Sequence, residues 1–105
     1  MSNNPEDLKL VTLAQATLNR SGATQAAALR DNTGRTYVAV PVTSKSLSLD
    51  AVEAVFTVAM ASQISGIEAV VFTGQPSAKT AVITEFAPSA AIFFANDEGA
   101  TDKIA

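Results

Sequence analysis

Between Glu53 and Glu68 the chain runs for fourteen residues, "AVFTVAMASQISGI", without a charge. Read with the preceding "SLDAVE", this stretch predicts a helix over roughly residues 48 to 64. Val52, Val55, Phe56, Ala59, Met60 and Gln63 share one face of it. Ala54, Val58 and Ala61 make the opposite side nearly as apolar. A helix that is apolar all round has to be covered on most sides. In a chain of 105 residues a sheet can cover one of them, and a subunit interface is the expected cover for the rest. This one segment asks for a layered fold and points to a homo-oligomer.

The segments around it supply the layers. "NPEDLKLVTLAQATLNRSG" reads as a first helix: Asn4 caps it, Pro5 suits the first position, and Glu6 and Asp7 complement the dipole. Leu8, Val11 and Leu18 form its apolar face, with Ala14 and Gln15 astride that stripe, and Gly22 is the stop. "TQAAALRD" and "RTYVAVPVT" are extended runs flanking "DNTGR", a hairpin turn in which Asn32 and Gly34 suit positive φ. Pro41 cannot donate to a ladder and belongs at a strand end, edge or bulge. "GIEAVVFTG" is a short apolar strand typical of a sheet interior. "PSAKTAVITEFA" predicts a helix starting at Pro76, and "SAAIFFAND" a final strand whose Phe93 and Phe94 face opposite sides.

Helix, strand, strand, helix, strand, helix, strand is the pattern of an α/β fold. A three-layer α/β/α sandwich around a mixed sheet is expected, with right-handed crossovers. One domain spanning 1–105 is expected, with about 100–105 as a fraying polar tail. Twenty residues are alanine, so the layers should approach closely.

Two absences narrow the chemistry. The chain has no cysteine and no histidine. That removes disulfides, thiolate and imidazole metal ligands, and the Ser-His-Asp and Cys-His nucleophile systems. The net charge is −3 and the seven basic residues are scattered, which argues against nucleic acid as a partner. No run is long and apolar enough to span a membrane, and the polar start "MSNNPEDLKL" is unlike a signal peptide. A cytoplasmic location is the expectation.

The layout and two stretches resemble the cytidine deaminase family. "AVITEFAPSAAIFFANDEG", Ala81 to Gly99, is similar to the family's helix end, Glu-Phe, proline, and strand running into Asn-x-x-Gly. "GRTYVAVPV" is similar to its glycine-initiated second strand. The resemblance covers roughly residues 5 to 99. It implies a zinc site built from a Cys/His-Ala-Glu motif on the central helix and a "PCxxC" motif opening the next. There the metal would make hydroxide and the glutamate would move protons. It also implies dimers or tetramers formed through helices near the site.

Carried over residue by residue, this pattern finds none of its ligands. The substrate-binding Asn and Glu fall on Pro41 and Thr43. The first zinc ligand falls on Val52, or on Ala51 if the register slips by one. The glutamate falls on Ala54, or on Glu53 after the same slip, and the two thiolates near Ser77 and Thr80. The resemblance thus implies a deaminase-like scaffold without zinc, and no cofactor is expected.

The remaining candidates are slight. Glu53 is the only candidate for a catalytic acid, and its spacing from Asp50 is that of a capping box. "GQPSAKT" places Ser77, Lys79 and Thr80 between a strand and a helix start, a location that suits an anion, but it lacks the glycine spacing of a phosphate loop. "NDEG", Asn96 to Gly99, with Asp102 lacks the ligand spacing of a calcium loop. "TSKSLS" offers a Ser-Lys pairing only if a lysine is strongly perturbed. The leading expectation is a non-catalytic, oligomeric scaffold or interaction protein. A small-ligand module for a nucleoside, nucleotide or anion is the alternative, and a hydrolase deaminating nucleosides comes third.

Overall fold

Asn4 opens the first helix as the sequence predicts: its side chain accepts a hydrogen bond from Glu6 N, and Pro5 begins helix α1, Pro5–Ser21. The computed structural model describes residues 4–105; residues 1–3 of the polar start lie outside the described residues. After α1 come strands β1 (Gln25–Asp31), β2 (Thr36–Ala39), β3 (Val42–Thr43) and β4 (Ser48–Leu49). Helix α2 (Ala51–Ala61), strand β5 (Ile67–Gly74), helix α3 (Ala81–Phe86) and strands β6 (Ala91–Ala95) and β7 (Thr101–Lys103) complete the chain.

Five strands form one mixed sheet in the order β2-β1-β5-β6-β7. Only β5 and β6 run parallel, with Val71 opposite Phe93; the other pairs are antiparallel. Because strand side chains alternate, each face collects its own core. Ala27, Leu29, Val70, Phe72 and Ile92 pack with Val52, Val55 and Ile83 from α2 and α3. Ala28, Ala69, Val71, Phe93 and Ala95 pack with Leu10, Val11 and Ala14 of α1. The molecule is a three-layer α/β/α sandwich, and Phe93 and Phe94 do face opposite sides. Each fully buried large apolar side chain contributes roughly 1.5–3 kcal/mol. The fully buried alanines of β1, Ala26 to Ala28, let the helices sit close on both faces.

Several boundaries differ from the sequence reading. The buried face of α1 is Asp7, Leu10, Val11, Ala14 and Thr17, while Leu8 is exposed. Gly34 takes positive φ at the β1–β2 turn and Asn32 does not; Asn32 instead bonds through its backbone N to Gly66 O, 3.2 Å. Pro41 follows the end of β2, where its missing N–H costs no ladder bond. Residues 48–50 are not helical. Ser48–Leu49 pair with Val42–Thr43 as a two-stranded ribbon, and α2 starts only after its cap, Asp50.

At its far end α2 stops at Ala61 rather than near 64, because Gln63 turns to φ 62°. The third helix starts at Ala81, five residues after Pro76, because side chains from elsewhere take the backbone groups of that stretch. The expected fraying tail is strand β7, which pairs Lys103 with Phe93 and Thr101 with Ala95. Among the described residues no helix is long and apolar enough to cross a membrane.

Candidate functional site

Four segments meet at one end of the sheet: Thr24 and Gln25 at the start of β1, Pro41 and Thr43, the stretch from Ser48 to Glu53, and the β5–α3 loop. They line an open cleft of about 440 Å³. Gly74 allows the convergence. Its φ is +90°, and a Cβ there would lie 2.5 Å from Thr24 O, so no other residue lets β5 turn this close to β1. The next residue, Gln75, donates its N–H to Thr24 O at 2.9 Å.

Glu53 enters the cleft already bonded. Its Oε1 accepts from Asp50 N at 3.1 Å, and its own N–H donates to Asp50 Oδ1 at 2.9 Å. This is the reciprocal capping box that the Asp50–Glu53 spacing predicts. The other carboxylate oxygen, Asp50 Oδ2, accepts from Lys79 N at 2.6 Å. One aspartate thus ties the start of α2 to the β5–α3 loop.

Gln25 does the same from the sheet. Its Nε2 donates to Gln75 O at 2.9 Å and to Ser77 O at 3.0 Å, and its Oε1 accepts from Ala51 N at 2.9 Å. Only 2% of the residue is exposed. These contacts satisfy backbone groups that a helix over 76–80 would otherwise use, which is why α3 begins late.

The cleft brings together Glu53, Ser77 and Lys79; Thr80 is not among its lining residues and makes no side-chain cap to α3. Ser77 contributes a backbone carbonyl to the Gln25 network. Pro41 and Thr43, the positions the resemblance gives to substrate, do line the cleft.

A zinc ion does not fit the residues present. Val52 and Ala51 are apolar and fully buried, and the thiolate positions fall on Ser77 and Thr80. Asp50 Oδ1 and Oδ2 and Glu53 Oε1 already accept backbone N–H bonds. Among the described residues no group of three or more His, Cys, Asp or Glu is placed to hold a metal. Asn96 of the "NDEG" turn likewise uses its Oδ1 on Glu98 N and Ala100 N.

Sequence reasoning missed three polar residues that organise the sheet. Gln25 is one; the signal was a long amide opening an alanine run. Arg30, 7% exposed, bonds Asp7 through Nη2 and Glu68 through Nε, both at 2.8 Å, while its buried Nη1 finds no hydrogen-bond partner among the described residues. Burial works against the Arg30 charge, but hydrogen bonds to Glu68 and Asp7, and their charges, hold its pKa above the ordinary value. Asp31 is the third. Burial alone would raise its pKa, yet bonds from the Thr33 hydroxyl and N–H, Arg35 N and the Tyr37 hydroxyl together hold it below the usual aspartate value.

Comparison with known proteins adds the following. A family profile described as cytidine deaminase-like matches residues 3–99. The fold is similar to that of a cytidine deaminase from Burkholderia pseudomallei, with a TM-score of 0.80 and 20% identity, covering 100% of this chain and 93% of that one. It is similar also to a cytidine deaminase from Mycobacterium leprae, with a TM-score of 0.70 and 19% identity over 96% of this chain and 94% of that one. No curated protein sequence matches. At these identities the structural likeness concerns the fold.

Proposed function

The chain belongs to the cytidine deaminase-like family, and from that premise we propose that it is a non-catalytic member that works as a self-assembling interaction protein. One observation carries this reading: Val58 and Met60, the latter expected on the core face, flank the outward side of α2 and are 44% and 38% exposed, on a helix with no charge after Glu53. Apolar surface of this kind is covered when a matching surface is available. A second copy brings the same charge-free face, so a two-fold contact is self-complementary. The loss of catalysis rests on the donor set: without His or Cys, and with Asp50 and Glu53 committed to the cap, nothing activates water as zinc does.

Light scattering tests the assembly. A mass at a multiple of 10.8 kDa is the expected result, and a monomer at high protein concentration overturns it. Metal analysis with a cytidine turnover assay tests the chemistry; stoichiometric zinc with turnover would overturn the non-catalytic reading.

The open cleft favours a second reading, a small-ligand module. Asp50, Glu53 and Lys79 are the charged residues of its lining, and they sum to one negative charge. That balance opposes phosphate and favours an uncharged ligand such as a nucleoside. A thermal-shift series separates the classes: a rise with millimolar nucleoside and none with phosphate supports the module, and no rise with either removes it.

A further inference from the structure

The two segments that the resemblance assigns to a metal are joined here by side chains. Gln25 reaches from β1 to both, donating to Gln75 O and Ser77 O and accepting from Ala51 N. Asp50 spans the same gap from the other side, accepting from Glu53 N within α2 and from Lys79 N in the loop. We infer that Gln25 and Asp50 form a metal-free clasp, which cross-links β1, the start of α2 and the β5–α3 loop in place of a bound cation.

The chemistry supports the assignment. A cation can join only acceptors, and the group that the start of α2 offers here, the Ala51 N–H, is a donor. A carboxamide is donor and acceptor at once and can join one segment's carbonyls to another's N–H. Both Gln25 N–H donors are used, as is its oxygen. The site is built for the amide: Gly74 brings Gln75 against Thr24, and the residue holding the bonds is almost fully buried. Removing it leaves the buried Ala51 N–H without its acceptor, which costs more than the bond itself is worth, and frees the part-buried carbonyls of Gln75 and Ser77. The clasp rests on the mismatch with zinc and not on self-assembly, so either reading can fail alone.

Gln25→Ala in the full chain tests it by hydrogen exchange and melting. The expected result is at least tenfold faster exchange at the Ala51 and Lys79 amides, with Val70 and Phe72 unchanged and Tm lower by roughly 10 °C. Unchanged exchange at Ala51 and Lys79 overturns the clasp. Gln25→Glu keeps the proposal falsifiable if the alanine variant fails to fold. The introduced carboxyl retains an acceptor for Ala51 N but, when ionised, faces the Gln75 and Ser77 carbonyls without a donor. Asp50, Glu53 and Lys79 are the other charged groups lining that cleft. Protonation restores one donor, so the Tm gap to the unsubstituted protein should narrow between pH 7 and about pH 5. A gap that does not change with pH overturns the proposal, as does a fall in the unsubstituted protein's Tm on adding a chelator.

Discussion

Asp31 shows how much one buried carboxylate can organise. It closes the β1–β2 turn from inside, accepting from Thr33, Arg35 and Tyr37 at 2.7–3.2 Å. Its pKa is held below the ordinary value, so folding is favoured by its ionised form. That contribution is complete above the unfolded-state value near pH 4 and is lost as pH falls through the lower folded-state value. Denaturant midpoints should therefore show the unsubstituted protein ahead of Asp31→Asn by a constant margin from pH 5 to 8. The margin should shrink below about pH 4; one that grows in acid would refute the assignment. In the sequence "DNTGR" announces a turn, and Gly34 was legible as its positive-φ residue. That Asp31 rather than Asn32 holds it was not, because local spacing does not say which side chain points inward. Gln25 and Arg30 were missed for the same reason: periodicity treats polar residues as exposed, and here long-range partners bury them.

At the scale of elements, the legible boundaries were those set by local caps, Gly22 at the end of α1 among them. Asn4-Pro5 and Asp50-x-x-Glu53 are local hydrogen-bonding patterns, visible without knowing the fold. The end of α2 is set by Gln63, which adopts φ 62° without being glycine. Left-handed backbone is disfavoured by a Cβ, so Gln63→Gly should stabilise the protein by about 0.5–1 kcal/mol. Chemical denaturation checks this, and a loss of stability would mean that the side chain contributes more than the strain costs. The start of α3 and the ribbon of β3 with β4 were unreadable. Pro76 to Thr80 has the composition of a helix start, but Gln25 and Asp50 hold its backbone groups from elements far away in sequence.

At the scale of the whole molecule, the outward side of α2 is apolar surface that the single chain leaves uncovered. Val58 and Met60 lie outside both core clusters, so charging them should leave the monomer fold intact. Val58→Glu with Met60→Glu should reduce the solution mass to 10.8 kDa with an unchanged circular dichroism spectrum. An assembly that survives both changes would move the interface elsewhere. Read alone, the sequence determined the order of most elements, the layered α/β class and the absence of thiolate and imidazole chemistry, because these follow from periodicity, capping and composition. The tertiary structure alone decided which polar groups meet at the cleft. It turned the expected tail into the edge strand β7 and closed one end of the sheet with Gln25 and Asp50. Those outcomes depend on donors and acceptors that meet only after residues 25, 50 and 77 are brought together, and no local pattern records that meeting.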